Sequence, residues 1–218
     1  MRGAVIALVL AAMPSVAAAR VPRDCSVGVT VVAAADHGTL TGKLTRFEPR
    51  RREPQFIEAT LDDGTTAVEL TLYVAPGLRA ASAPLAKLAR GATVTLTYRC
   101  GGGWQRVCDA RIEDARGALV LIASGTGGDG LAAGWTATVG AIIATRPDPA
   151  PTTAASVERT HEVELRHGKV VAKVRSGRCT RITEGGHTYL ATGTAVTWLG
   201  VRPPEGVDWR SYSLVRQR

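Results

Sequence analysis

The sequence predicts an all-β fold of mainly antiparallel strands with one short helix. Apolar and polar residues alternate along most of the chain, as in Thr93 to Cys100, which is the pattern of a half-buried strand. Turn-forming residues interrupt this alternation roughly every eight to twelve positions, as they do in all-β domains. After the N-terminus, no run approaches the ~18 consecutive apolar residues of a membrane helix. We therefore expect a soluble mature chain without a membrane span.

The N-terminus has the three regions of a secretory signal peptide in the expected order. Arg2 supplies the positive charge, residues 4–12 form a short apolar run, and Ala17 to Ala19 provide the small residues of a cleavage site. A buried N-terminal helix is the alternative, but the run lacks polar residues at helical spacing. We predict that residues 1–19 are a signal peptide cleaved near Ala19. The mature protein is then secreted or periplasmic.

Residues 20–123 carry the strand pattern of a first subdomain. The single helix is predicted at Arg79 to Ala89, because Leu78, Leu85 and Leu88 recur at helical spacing and Gly91 can cap its end. Asp62-Asp63-Gly64 marks a turn between two strands. The predicted strands are Val27–Val32, Thr39–Phe47, Gln55–Leu61, Ala67–Val74, Thr93–Cys100, Arg106–Glu113 and Ala118–Ala123.

The succession of three strands, a helix and two strands over Thr39 to Asp114 resembles the OB-fold. Within it, residues 88–94 (LARGATV) look like the entry to the fourth strand of that fold. The resemblance implies a small β-barrel. Because it is a resemblance of topology, it implies a fold and no particular function.

Residues 124–156 are predicted to be a linker that is rich in glycine and proline and contains one β segment, Gly134 to Thr145. Residues 125–130 match the dinucleotide pattern G-x-G-x-x-G, but no helix that could receive a pyrophosphate follows them. A lone Asp129 also supplies too few oxygen ligands for calcium. We predict no cofactor and no metal site.

A second β subdomain is predicted over residues 157–218. Two of its strands meet across the turn His167-Gly168. Its predicted strands are Glu162–Arg166, Lys169–Arg175, His187–Ala191, Thr194–Leu199 and Tyr212–Arg216.

The chain has four cysteines, all in the predicted mature part, which in an exported protein indicates two disulfides. Three connectivities are possible. We favour Cys100 with Cys108, because they flank a glycine-rich segment that can reverse the chain, which leaves Cys25 with Cys179. The second bridge closes a long loop, worth ~4 kcal/mol in the chain-entropy model. Zinc is the alternative reading, but its usual C-x-x-C pairs are absent.

The composition argues against nucleic acid as a partner, although the formal net charge is +8. The chain contains four lysines and no asparagine, so its arginine excess is typical of GC-rich coding. Aromatic residues, on which single strands stack, are scarce. The one basic run, Arg50 to Arg52, lies between Pro49 and Pro54 as an exposed loop.

Residues 176–181 (SGRCTR), which follow His167-Gly168, resemble the nucleophile motif of L,D-transpeptidases, enzymes that crosslink cell walls with a cysteine thiolate. The resemblance implies that Cys179 is the nucleophile and that His167 or His187 is the base. Arg178 stands where that family has glycine, and a catalytic Cys179 would leave an odd thiol among the remaining cysteines.

Three further residues, His161, Glu162 and Trp104, are candidates for a site. His161-Glu162 begins like a zinc-protease motif, but Leu165 stands where the second histidine is needed, so these residues are read as structural. Trp104 lies at the tip of the glycine-rich hairpin, where it can contact a ligand or cover the barrel end.

We predict no catalytic, cofactor or metal residues. The expected function is an exported, non-enzymatic β module with a binding or structural role in the periplasm or outside the cell. A transpeptidase-like enzyme with Cys179 as its nucleophile is the alternative.

Overall fold

The computed structural model describes residues 24–76, 78, 88, 90–100, 107–124, 135–147, 157–176, 178–199 and 209–217. The described residues form thirteen strands that join in one antiparallel sheet. The strands are β1 (Val27–Val32), β2 (His37–Pro49), β3 (Phe56–Asp62), β4 (Ala67–Val74), β5 (Thr93–Cys100), β6 (Val107–Asp114), β7 (Leu119–Ser124), β8 (Trp135–Pro147), β9 (Val157–His167), β10 (Val170–Val174), β11 (Thr180–Glu184), β12 (His187–Leu199) and β13 (Trp209–Arg216).

The all-β prediction is confirmed, and the bounds of β1, β4 and β5 agree with the predicted ones. In β4 the burial alternates between exposed and buried along the strand, which is the pattern that the sequence reading relied on. The predicted helix, Arg79 to Ala89, lies outside the described residues except for Leu88, which is buried. The predicted signal peptide also lies outside them.

Two strand predictions were wrong in the second half of the chain. The gap predicted between Ala191 and Thr194 does not exist, because β12 continues through Gly193. Close packing favours glycine at this position, since a Cβ there would lie only 3.1 Å from the Cβ of Val163. Strand β11 was missed, although Gly185-Gly186, both at positive φ, form the hairpin turn that joins it to β12.

The first six strands form a ring. Strand β1 pairs with β4 on one side and touches β6 on the other, so the order around the ring is β1-β4-β3-β2-β5-β6. Only two residue pairs join β1 to β6, and the ring is therefore partly closed. Gly42 of β2 lies so close to the backbone of Asp62 that any Cβ there would collide with it. This arrangement is compatible with a barrel-like fold.

The described residues form two hydrophobic cores, and one part of the sheet lies between them. We call this part the shared wall; it comprises β7, β13 and residues 189–191 of β12. Leu121 and Val215 face the core of the ring, which we call the ring core. Their neighbours Ile122 and Leu214 face the opposite way, into a second core built with β8 to β11. All six residues of β7 are consequently buried.

The second core is covered by strand pairs from the later part of the chain. Strand β8, which comes from the predicted linker, pairs along most of β9, and β9 pairs with both β10 and β12. The Trp135 ring is buried here and stacks on His167, with ring centroids 5.0 Å apart. In the part of the chain that is described, no helix is long and apolar enough to cross a membrane.

We expect Leu121→Ala and Leu214→Ala each to lower the free energy of unfolding by about 2–5 kcal/mol, because each opens a cavity at a fully buried site. We expect each variant to unfold in a single transition at a lower urea concentration than the unmodified protein, because the shared wall belongs to both cores. Urea unfolding followed by tryptophan fluorescence and far-UV circular dichroism measures this.

Val171→Ala is the control, because Val171 is 44% exposed and its truncation should change stability by less than about 0.5 kcal/mol. Two separate transitions, with each leucine variant shifting only one, would contradict the shared wall.

Candidate functional site

Both disulfides have the favoured connectivity, and all four cysteines are bonded. Cys100 and Cys108 stand directly opposite each other on β5 and β6. The bridge from Cys25 to Cys179 spans 154 residues of sequence, with Cα atoms 5.9 Å apart. It fastens the segment that precedes β1 to the segment that precedes β11.

A cleft of about 310 Å³ opens beside the Cys25–Cys179 bridge, where β1, β7, β12 and β13 come together. We call it the hydroxyl cleft, because most of its lining side chains are serines and threonines. It is lined by Asp24, Ser26, Val27, Ser124, Thr192, Gly193, Thr194, Ser211, Tyr212 and Ser213. Its size lies at the lower end of the range for sites that bind small molecules.

The pairing of β12 with β13 explains why hydroxyl groups gather here. Thr192 stands opposite Ser213 and Thr194 opposite Ser211, and in each strand the two residues lie two positions apart. Side chains two positions apart share a face of a strand, so the four hydroxyl groups lie on one face. Gly193 lies between Thr192 and Thr194 in β12 and has no side chain. Its backbone packs closely against Val163.

One side of the cleft is the N-terminal segment Asp24 to Val27, which Ser213 holds in place. Its Oγ accepts the backbone N–H of Val27 at 3.3 Å and donates to the carbonyl of Cys25 at 3.5 Å. Ser213 is only 1% exposed. A buried side chain that bonds the segment twice, next to a disulfide, fixes this side of the cleft.

The opposite side rests on two more hydroxyl groups with fixed partners. Ser124 donates to the carboxylate of Asp109 at 2.8 Å, and both residues are buried. Thr192 donates to the carbonyl of Arg178 at 3.2 Å. At the mouth, Oδ1 of Asp24 accepts the N–H and the hydroxyl of Ser26 at 2.9 and 2.8 Å.

The described lining residues suit recognition of a polar ligand. None of these described residues is histidine, lysine, arginine or cysteine, and the side-chain partners of the Ser26 and Ser124 hydroxyl groups are carboxylates. Among the described lining residues, Asp24 supplies the one carboxylate. What remains is a set of fixed hydrogen-bonding oxygens around a small volume.

The residues of the transpeptidase resemblance have other partners. Cys179 is bonded to Cys25. The Nδ1 of His167 contacts the carboxylate of Glu184, and its ring stacks on Trp135. His187 meets the ring of Tyr189 edge-on at 6.5 Å.

Of the other residues considered in the sequence, His161 and Arg50 are not among the lining residues of the cleft. Trp104 lies outside the described residues. The ring of His161 is 3.4 Å from the carbonyl of Gly140. In the basic run, Arg50 pairs with Glu58 at 2.8 Å and stacks over Phe56 at 5.3 Å.

Among the described residues, no group of three or more histidine, cysteine, aspartate or glutamate side chains is arranged to hold a metal ion.

A charged cluster lies on the side of the shared wall that faces the second core. Arg216 of β13 bonds Asp114 at 2.8 Å, and Arg111 bonds Glu113 at 2.5 Å. Arg111 and Glu113 belong to the same strand, whereas the bond from Arg216 to Asp114 joins β13 to the end of β6.

The pKa of Asp114 is lowered by its hydrogen bonds. Burial raises this pKa, but hydrogen bonds from Arg216 and from the backbone of Ala118 and Arg116 outweigh burial and hold the pKa below its ordinary value. Burial also raises the pKa of Tyr189.

The sequence analysis missed the hydroxyl cleft. Its signal was present in residues 192–194 (TGT) and 211–213 (SYS), which place hydroxyl groups at alternate positions in otherwise apolar strands. Nothing in the sequence shows that these two segments stand opposite each other.

Comparison with protein-family models, with curated proteins and with solved structures finds no match to this chain.

We expect Asp114→Asn to lower the free energy of unfolding at neutral pH by ~1 kcal/mol, because a neutral amide bonds Arg216 less strongly. Since the native pKa of Asp114 is depressed, its contribution is present above the ordinary aspartate value and is lost as the pH falls through the native value. The difference from the unmodified protein should shrink below about pH 4.

Urea unfolding between pH 7 and pH 2 measures this difference. Glu53→Gln is the control, because Glu53 is half exposed and its ion pair with Arg50 is long, at 3.5 Å. A deficit that stayed constant down to pH 2 would contradict the assignment.

Proposed function

We propose that this chain is an exported, non-enzymatic β module that binds a small polar ligand in the hydroxyl cleft. The observation that carries the proposal is the cleft itself, in which Ser124, Thr192 and Ser213 are held by fixed partners. Buried hydroxyl groups with fixed orientations are the kind of preorganised polar groups that orient a ligand.

The two disulfides support the export part of the proposal. Such bonds form and persist in oxidising compartments and are rare in the cytosol. The charge pattern of residues 1–19 points the same way.

The proposal includes an OB-like topology for the ring. Strand β2 pairs with both β3 and β5, and β1 pairs with β4 and touches β6. A partly closed ring of this kind is compatible with a small β-barrel.

Binding is tested by screening the oxidised, ¹⁵N-labelled protein against small polar molecules that are neutral, cationic or anionic. We expect hits that shift the amide resonances of Ser124, Gly193 and Tyr212, which line the cleft from three strands. If hits shifted other surfaces and none shifted these three amides, the proposed site would be wrong.

The transpeptidase-like alternative requires a free thiolate at Cys179, since only the thiolate is nucleophilic. We expect no cysteine to be alkylated under denaturing conditions without reductant, because all four are bonded. Peptide mapping after alkylation measures this. Rapid alkylation of Cys179 alone near neutral pH would make the enzyme the leading hypothesis.

A further inference from the structure

We infer that the hydroxyl cleft selects small organic cations that donate hydrogen bonds through ammonium groups. This inference rests on the proposed function, because it names the ligand class of the same cleft. The ligand class follows from the direction of the hydrogen bonds that the lining hydroxyl groups already make within the protein.

Each hydroxyl group has one hydrogen to donate, and in the cleft the key hydrogens are already used. Ser124 bonds a carboxylate oxygen of Asp109, and Thr192 and Ser213 bond the backbone carbonyls of Arg178 and Cys25. A carbonyl oxygen can only accept, so Thr192 and Ser213 must donate, and Ser124 is likewise the donor in its bond to Oδ1 of Asp109. These groups can offer a ligand only their lone pairs.

The mouth of the cleft has the same character. The hydroxyl of Ser26 donates to Oδ1 of Asp24 at 2.8 Å, so it too is left as an acceptor. Oδ2 of Asp24 makes no hydrogen bond to another described residue. Thr194 shares a hydrogen bond of 2.9 Å with Ser176, in which either group can donate. The hydroxyl of Ser211 makes no hydrogen bond to another described residue and can donate or accept. Four of the six serine and threonine hydroxyl groups among the described lining residues are thus left as acceptors, and such a surface favours ligands that donate.

Charge narrows the ligand class further. Among the described lining residues Asp24 is the one carboxylate and none is basic, so at these residues an anion would meet acceptors and negative charge. A carboxylate that accepts from an ammonium group makes the shorter and stronger kind of hydrogen bond. The chain as a whole carries a formal charge of +8, which repels cations at long range. A cation that binds must therefore be held by the local acceptors.

A bare metal ion suits the cleft less well than an organic cation. Hard cations such as calcium need six to eight oxygen ligands, to which carboxylates usually contribute the charge, and one exposed aspartate contributes little. The volume of about 310 Å³ is also far larger than a metal site and leaves room for a carbon chain. These features favour an ammonium group on a small organic body.

The test uses three probes that share a four-carbon chain and differ in their end groups: 1,4-diammoniobutane, 1,4-butanediol and succinate. Each is titrated into the oxidised, ¹⁵N-labelled protein at neutral pH and constant ionic strength. We expect the diammonium compound to shift the amides of Ser124, Gly193 and Tyr212 in a saturable way, and the diol and the dicarboxylate to leave them in place.

Asp24→Asn should weaken the binding of the diammonium compound about tenfold, because it removes the charge-assisted acceptor. The matched control is Asp62→Asn, outside the cleft. Oδ1 of Asp62 accepts the N–H of Gly64 two residues on, as Oδ1 of Asp24 accepts that of Ser26. Both substitutions change the net charge equally, so only a local effect separates them.

Equal binding of the diol and the diammonium compound, unaffected by Asp24→Asn, would overturn the cation inference and leave a polar binding cleft. If all three probes fail to bind while the broader screen finds ligands in the cleft, the cation inference is wrong and the proposed function stands. Absence of any ligand in both experiments would overturn the inference and the proposed function together.

Discussion

The structure depends on burying one part of the sheet on both faces. Strand β7 runs between β6 and β13, and its side chains divide between the two cores. Val120, Leu121 and Ala123 face the ring core, and Leu119 and Ile122 face the second core. An antiparallel strand usually has one face in water and shows polar residues at every second position. Here both faces are dry, and all six residues from Leu119 to Ser124 are buried. This constraint ties the two halves of the chain into one sheet.

The same constraint determines where polar groups can lie. Within the shared wall a buried polar side chain needs a hydrogen-bond partner, because an unpaired one costs about 1–3 kcal/mol. Ser213 and Ser124 satisfy this requirement with the carbonyl of Cys25 and the carboxylate of Asp109. On the outside of the ring the solution differs, since Thr39 and Thr97 bond each other at 3.1 Å and remain exposed. The hydroxyl cleft is thus the place where the apolar wall ends and directed polar groups begin.

A strand such as β4, of which one face meets water, could be predicted from the sequence. In β4 the alternation of side chains defined both ends of the strand, from Ala67 to Val74. The reading failed at Gly193, because a glycine that permits close packing looks in sequence like a glycine that permits a turn. The pairing of Cys100 with Cys108 could be favoured from the short glycine-rich segment between them, which is local information.

The hydroxyl cleft could not be predicted, because it depends on pairings between distant segments. Ser124 meets Tyr212 through the pairing of β7 with β13, and Val27 meets Ser213 across most of the chain. No periodicity within one strand carries that information. Once the order of strands is known, the alternate hydroxyl groups of β12 and β13 become informative, since their register places Thr192 opposite Ser213.

The position of β13 in the sheet has a consequence for the growing chain. A ribosome releases β1 to β6 first, yet the ring core also contains Leu190 and Val215, which come from β12 and β13. Strand β13 is the last described strand in sequence and stands between β7 and β12. A nascent chain that does not yet include β13 has a ring core with an uncovered side, and β7 lacks its neighbour. The pairing of β7 with β13 joins segments far apart in sequence, and pairings of this kind form slowly. The cleft, whose Ser213 holds the segment before β1, is therefore assembled only by a chain that has been made through β13.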